Sequence, residues 1–185
     1  MVIIGITGTI GAGKGTVVEY LVDKKNFKHF SARGFLVEEL ERRGLENNRD
    51  NMVAVANELR EKNSPSFVAD ELFKRALESG KNCVIESLRT VGEIESLRKK
   101  GNFILLAVNA DSKVRYERVT KRLASTDYIS FEKFLADEER EMESTDLNKQ
   151  NLRKCIEMAD FLINNDGTLE NFSFKIENIL KVIQI

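Results

Sequence analysis

The sequence predicts an α/β protein built on a parallel β-sheet. Along the 185 residues, short apolar runs alternate with longer segments in which apolar residues recur at helical spacing. This alternation is typical of βαβ units with right-handed crossovers. Five of the 11 glycines lie within the first fifteen residues, in and just after the first apolar run. The turn that follows this run therefore needs unusual backbone freedom.

The strand predictions rest on unbroken apolar runs. A strand covered on both faces of a parallel sheet has no polar alternation, so a short apolar run between turn residues predicts one. Of these runs, 103–109 is the longest and 27–30 the least apolar. The predicted strands are residues 2–7, 27–30, 82–87, 103–109 and 161–164.

The helix predictions rest on helical spacing and on capping residues. A helix is expected to start near Lys14, and the segments 35–43 and 51–61 have helical spacing. Another helix is expected from Pro65 to about Glu78. Later helices are expected from about 91, from 112 to about 123, from 131, and from 169 to the end. The predicted N-caps of the later helices are Ser64, Thr90, Asp111, Ser130 and Thr168. The acidic run 137–141 is expected to be the solvated face of its helix.

Composition and charge exclude several classes of protein. The chain is 42% hydrophobic and 32% charged, with 29 basic and 30 acidic residues and a net charge of −1. These values favour one globular domain over residues 1–185 and argue against disorder. They also provide no excess of positive charge, which binding to duplex nucleic acid or to an anionic membrane would need.

Cysteine and histidine usage limits the chemistry further. Cys83 and Cys155 are far apart in the sequence, which favours free thiols in a reducing compartment. The single histidine, His29, lies beside an aromatic residue and is expected to be structural. Zinc chemistry and Cys-His nucleophilic chemistry are therefore not expected. With neither a secretory leader nor an apolar run of membrane-spanning length, the sequence predicts a cytoplasmic protein.

The first glycine-rich turn has the pattern of a phosphate-binding loop. Residues 8–16 are GTIGAGKGT and contain G-x-x-x-x-G-K. Glycines let backbone N–H groups wrap around a phosphate, and the following helix adds the positive end of its dipole. Lys14 is expected to bridge the β- and γ-phosphates in catalysis, and the Thr16 hydroxyl to face a phosphate or Mg²⁺. The residues predicted to bind ATP here are Gly8, Gly11, Ala12, Gly13, Lys14, Gly15 and Thr16. The alternative is a glycine-rich turn without a ligand.

With Gly15 directly after the lysine, this loop resembles that of adenylate kinase and related P-loop nucleoside monophosphate kinases. Within that family, the adenylate-kinase-related and dephospho-CoA kinase-like small proteins are the most similar. The resemblance implies a three-layer P-loop kinase fold: a five-stranded parallel sheet in the order 2-3-1-4-5 with helices on both faces. It also implies that the protein binds ATP with Mg²⁺ and transfers the γ-phosphate to a small phosphorylated acceptor.

The resemblance assigns roles to residues that follow the second and third strands. Glu86 corresponds to an acid that faces the loop, where it would hold Mg²⁺ through water or orient the acceptor. Arg89 resembles an arginine that grips the acceptor phosphate. Ser31, Arg33 and Arg60 belong to a segment, about 31–62, that would cover the acceptor and bind it. The alternative for each of them is a solvated side chain or a structural ion pair.

Arginines of the helix after the fourth strand are the candidate lid residues. Arg115, Arg118 and Arg122 share one helix face. By resemblance, Arg118 and Arg122 are catalytic, because fixed guanidinium groups stabilise the charge of a phosphoryl group in transfer. Residues 122–130 would then form a short lid that excludes water. The alternative is again a set of solvated salt bridges.

The turn after the last strand completes the predicted nucleotide site. Asn165 and Gly167 lie in a turn that resembles the Asn-x-Gly turn whose backbone recognises adenine in this family. The sequence thus predicts an ATP-dependent kinase, with a nucleoside monophosphate as the first candidate acceptor. Dephospho-CoA kinase-like and phosphomevalonate kinase-like activities are alternatives. A nucleotide-dependent switch with slow ATPase activity is an alternative of another class.

Overall fold

The computed structural model describes residues 1–122 and 130–185, and only the backbone of Arg122. Its sheet has five parallel strands in the order β2-β3-β1-β4-β5. The strands are β1 (Ile3–Gly8), β2 (Lys28–Ser31), β3 (Cys83–Glu86), β4 (Phe103–Asn109) and β5 (Phe161–Asn164). Both the α/β class and the predicted strand order are therefore confirmed.

Helices connect the strands and cover both faces of the sheet. Five of the six predicted N-cap and start signals hold within one residue, because capping and the glycine turn act locally. The helices in the described part of the chain are α1 (Lys14–Lys25), α2 (Ala32–Arg43), α3 (Arg49–Lys62), α4 (Phe67–Ser79), α5 (Val91–Lys99), α6 (Ser112–Arg122), α7 (Phe131–Met142), α8 (Leu152–Glu157) and α9 (Leu169–Val182).

The start of α4 corrects one prediction. The N-cap position belongs to Ser66, two residues after the predicted Ser64. The intervening turn is fixed by a tertiary contact, since the carbonyl of Pro65 accepts a hydrogen bond from Thr90 Oγ1 at 3.1 Å. Thr90 also forms the predicted capping box with Glu93 at the start of α5. Docking on α5 therefore holds Pro65 in the turn and outside the helix.

The core has a layer on each face of the sheet. On one face, Ile4 and Ile6 of β1 pack with α1 and α9; on the other, Ile3 and Ile85 pack with α4 and α5. A third, smaller cluster joins α2 to α3. Cys83 is one of two cysteines, both buried with free thiols. Within the described ranges, the helices lack the combined length and apolarity needed to cross a bilayer.

Gly5 has a different role from the glycines that follow it. A Cβ at this position would lie 2.5 Å from the ring of Phe103 and 2.8 Å from Leu88. Gly5 therefore allows close packing inside the sheet, whereas the later glycines shape the turn. Because all strands are parallel, their carboxyl ends lie at one edge of the sheet, where ligands of open α/β folds bind.

Candidate active site

The loop between β1 and α1 depends on glycines with positive φ. Gly8 has φ 138° and Gly13 has φ 104°, values that favour glycine. A Cβ at Gly8 would lie 2.1 Å from the carbonyl oxygen of Val108, and one at Gly13 would lie 2.3 Å from Asn165 Nδ2. Gly15 differs, because a Cβ there would meet nothing within 4 Å. The loop is thus packed tightly against β4 and the turn after β5.

Lys14 is the first residue of α1, and its side chain contacts the start of this loop. Its Nζ donates hydrogen bonds of 2.9 Å to the carbonyl oxygens of Gly8 and Thr9. Burial and, to a smaller extent, the nearby charge of Arg89 lower the pKa of Lys14 to about 8, against the opposing effect of Glu86. The ammonium group is therefore held in a confined place where an anionic ligand would be stabilising.

The first turn of α1 is open to an anion. Gly13 occupies the N-cap position without a side-chain hydrogen bond, and the first turn contains no acidic residue. The free N–H groups and the positive end of the helix dipole favour a phosphate here.

A cavity of about 190 Å³ lies beside the loop. It brings together the residues predicted to bind ATP after β5 and those of the loop itself. The residues lining it are Gly13, Thr16, Arg118, Asn165, Gly167, Leu169 and Phe172. Leu169 and Phe172, which lie in α9, were not predicted as site residues.

Arg118 has an unused donor at this cavity. Its Nη2 donates to the carbonyl oxygen of Asn165 at 2.8 Å, whereas its Nη1 is buried and has no hydrogen-bond partner among the described residues. Asn165 in turn donates from Nδ2 to the carbonyl oxygen of Ala12 at 2.8 Å. A buried unpaired donor is costly without a ligand or water, so this cavity is suited to a polar ligand.

Glu86 ends β3 and lies near Lys14, as predicted. Burial raises the pKa of the Glu86 carboxyl, but the hydrogen bond from His29 and the charge of Lys14 outweigh it, and the pKa lies below its usual value. His29 Nε2 is 3.3 Å from Glu86 Oε2. The structural role expected for His29 stays a prediction, and Glu86 is a partner that the sequence did not indicate for this histidine. A strand register that pairs β2 with β3 places it there, and the sequence carries no local signal of that register.

Ser31 ends β2 and pairs with Glu86 in the sheet, and Arg33 lies two residues later in the first turn of α2. The Ser31 hydroxyl caps α2 and accepts a hydrogen bond from Gly34 N at 3.2 Å. Arg33 is exposed, and its guanidinium has no hydrogen bond or ion pair within the described ranges. Arg33 is thus available to a ligand, whereas Ser31 already has a structural role.

Arg60 and Arg89 have different surroundings. Arg60 has 4% of its side chain exposed and donates from Nη2 to Glu93 Oε1 at 2.8 Å. The expectation that Arg60 binds the acceptor is not supported, because the capping-box carboxylate holds it in the interior. Arg89 is a quarter exposed and contacts Glu141 and Gln150 through Nη1. It remains close enough to Lys14 to lower the pKa of that group.

Helix α7 corrects the prediction for the acidic run. Glu138 pairs with Arg115, and Glu141 is 8% exposed. Both lie on the face of α7 that carries Phe134, four and seven residues after it, so the helical spacing itself was a signal for their burial. Arg115 also donates to the carbonyl oxygen of Ile10 at 3.3 Å, which ties α6 and α7 to the phosphate loop.

Part of the predicted lid lies outside the described residues. This holds for 123–129 and for the side chain of Arg122. The catalytic role of Arg122 and the extent of a lid over 122–130 stay predictions.

Comparison with known proteins gives the family. A family model described as an AAA domain matches residues 4–159. The chain is 31% identical to a UPF0200 protein of Sulfurisphaera tokodaii, over 98% of this chain and 97% of that protein. The chain belongs to both families. This chain is also 37% identical over 148 residues to a UPF0200/UPF0201 protein of Archaeoglobus fulgidus. The match spans 77% of this chain but 44% of that relative.

A solved structure supports the fold of this protein. The shikimate kinase of Bacteroides thetaiotaomicron superposes with a TM-score of 0.58 and 16% identity, over 100% of this chain and 99% of that one. The protein therefore has the P-loop kinase fold. At this identity the likeness concerns the fold alone.

Proposed function

We propose that this protein transfers the γ-phosphate of ATP to a small phosphorylated acceptor, with a nucleoside monophosphate as the first candidate. The observation that carries the proposal is the convergence of Lys14, Glu86 and Arg89 at the carboxyl edge of a P-loop kinase sheet. Transfer between two phosphates needs positioning and charge stabilisation more than acid-base chemistry. Lys14 and Arg89 would supply positive charge for this purpose.

The residues present fit ATP. The loop leaves the first turn of α1 without an acidic side chain or a side-chain cap, and Arg118, whose buried Nη1 has no partner among the described residues, lines the adjoining cavity. The polyphosphate would bind the loop and Lys14, and the base would enter the cavity beside Asn165. Mg²⁺, held by the Thr16 hydroxyl and through water by Glu86, would neutralise charge on the β- and γ-phosphates.

The acceptor side is supported by two arginines. Arg33 is exposed and free of ion pairs in the described part of the chain, and Arg89 lies near Lys14. Guanidinium groups favour phosphate because their planar N–H donors match its oxygens. An acceptor that carries its own phosphate would place that group between these residues. A covering role for residues 31–62 belongs to the same proposal.

One contact favours a second candidate, transfer to a hydroxyl group. Such a reaction needs a general base, and the ionised Glu86, with His29 at 3.3 Å, is suited to that task. A dephospho-CoA kinase-like activity belongs to this class, and the shikimate kinase with the same fold is named for such an acceptor. A phosphomevalonate kinase-like activity would instead resemble the first candidate.

A coupled ADP-release screen tests the proposal. The acceptors are ribo- and deoxynucleoside monophosphates, dephospho-CoA, phosphomevalonate and shikimate, each with Mg²⁺ and ATP, and Lys14→Ala is the control variant. We expect one acceptor to raise ADP release at least tenfold over the basal rate, and Lys14→Ala to abolish the increase. Basal turnover that no acceptor stimulates would contradict the proposal and favour a nucleotide-dependent switch.

The cytoplasmic location and the absence of nucleic-acid and membrane partners remain parts of the proposal, consistent with buried free thiols.

A further inference from the structure

The carboxylate of Glu141 joins two arginines from separate elements. Its Oε1 accepts a hydrogen bond from Arg49 Nη2, at the start of α3, and its Oε2 accepts one from Arg89 Nη1, after β3. Glu141 is buried in the last turn of α7. Two guanidinium groups thus share the Glu141 carboxylate, and Asp137 lies 3.9 Å from Arg49 Nη1 as a second acidic partner.

Arg89 is fixed at its backbone and at one edge of its guanidinium. Its N–H donates to Glu93 Oε2 at 2.8 Å, and its carbonyl oxygen accepts from Asn151 N at 2.9 Å. Its Nη1 donates to Glu141 and, at 3.1 Å, to Gln150 Oε1. The Nε and Nη2 atoms have no hydrogen-bond partner within the described ranges, and the side chain is 25% exposed. One edge is therefore held while the other is open.

Arg89 and the phosphate loop lie at the same edge of the sheet, because each follows the carboxyl end of one of two neighbouring parallel strands, β3 and β1. The charges of Arg89 and Glu141 also act on the pKa of Lys14. A flexible arginine loses rotamer freedom when it binds a phosphate, and an arginine that is already held loses less of it.

We propose that Glu141 and Gln150 are positioning residues, which hold Arg89, with Arg49 beside it, so that the open guanidinium edge binds the phosphate group of the acceptor. This inference rests on the proposed function, since it assigns the anchoring of that acceptor. It narrows the acceptor to a phosphate monoester, a class that includes nucleoside monophosphates and phosphomevalonate but not dephospho-CoA or shikimate.

The sign of one substitution separates positioning from simple electrostatics. Removing a negative charge next to an anion site strengthens anion binding by Coulomb attraction alone. If Glu141 only competes with the ligand for Arg49 and Arg89, Glu141→Gln binds phosphate more tightly. If Glu141 positions Arg89, the same variant binds phosphate more weakly. Gln150→Ala tests the same point without a change of charge.

The experiment is a calorimetric titration of inorganic phosphate into the full chain saturated with Mg²⁺ and a non-hydrolysable ATP analogue, which occupies the loop. We expect wild type to bind phosphate, Glu141→Gln to raise the Kd about tenfold and Gln150→Ala to raise it about threefold. Glu143→Gln is the matched control, since its exposed pair with Arg153 lies two residues further along. The Kd of the analogue should stay within twofold in all variants.

Phosphate binding that is unchanged or tighter in Glu141→Gln overturns the inference, as does the absence of phosphate binding by wild type. If circular dichroism shows that Glu141→Gln is unfolded, Gln150→Ala decides, and an unchanged Kd in that variant overturns the inference. Failure of the analogue to bind would contradict the proposed function instead. The titration without analogue, in a Lys14→Ala background that weakens the loop site, would then decide the inference separately.

Discussion

Replacing Glu93 by Gln removes the negative charge of a carboxylate that contacts both the Arg60 guanidinium and the backbone of Arg89. Glu93 is 1% exposed. One of its oxygens accepts from the Arg60 guanidinium at 2.8 Å, and the other accepts from the N–H groups of Arg89 and Thr90 at 2.8 and 3.1 Å. Gln keeps a carbonyl oxygen for the capping box but leaves Arg60 as a buried, uncompensated charge.

The cost follows from this geometry. Removing one partner of a buried ion pair destabilises a protein by about 3–5 kcal/mol. For a chain of this size, each kcal/mol lowers Tm by about 2–4 °C, so the Tm of Glu93→Gln should fall by roughly 6–20 °C. The double variant Arg60→Met, Glu93→Gln removes the stranded charge as well and should recover more than half of the lost free energy of unfolding.

Urea unfolding monitored by circular dichroism measures the loss of free energy of unfolding in the single variant and its recovery in the double variant. The control is Glu157→Gln, whose partner Lys154 and own side chain are both more than half exposed; it should cost less than about 0.5 kcal/mol. A loss below about 1 kcal/mol for Glu93→Gln, or a double variant no more stable than the single one, would refute the reasoning.

Three further predictions concern the nucleotide site. Gly13→Ala should weaken binding of an ATP analogue at least tenfold in a fluorescence titration, because its Cβ would clash with Asn165; Gly15→Ala, with open space around it, should change the Kd less than threefold, and equal losses would contradict this. Because the pKa of Lys14 is about 8, binding of the analogue should weaken as the pH rises above 8. The ligand-free protein should gain stability between pH 8 and about 10.4, because the folded chain loses this proton before the unfolded chain does. A binding affinity that does not change up to pH 9.5, or a pH dependence that Lys14→Met shares, would contradict this prediction. Arg118→Ala should raise the Kd of the analogue about tenfold without changing phosphate binding at Arg89, and an unchanged Kd would remove Arg118 from the nucleotide site.

Local signals account for what the sequence could predict. An unbroken apolar run such as 103–109 reports burial on both faces of a strand, and the capping box of Thr90 and Glu93 reports a helix start within four residues. The glycine loop is also predicted by a local signal, because residues 8–16 contain both the glycines that the turn needs and the lysine expected to bind phosphate. Strand order was implied by the resemblance to nucleotide kinases and is confirmed by the sheet.

The unpredicted features depend on tertiary contacts. Glu141 lies 52 residues from Arg89 and 92 from Arg49. A charged helix face of this kind is solvated unless another element supplies its partner, and periodicity within α7 gives no information about that partner. The same holds for Arg60, which the segment 49–62 presents to Glu93, and for His29, whose contact with Glu86 follows from the pairing of β2 with β3.

The central claim is that the γ-phosphate moves to an acceptor and not to water. Incubation with γ-labelled ATP, followed by chromatographic separation of nucleotides, acceptor products and inorganic phosphate, measures this directly. We expect label in a new phosphorylated product with one acceptor, and none in that product with Lys14→Ala. Label that appears only as inorganic phosphate, at a rate independent of every acceptor, would contradict it.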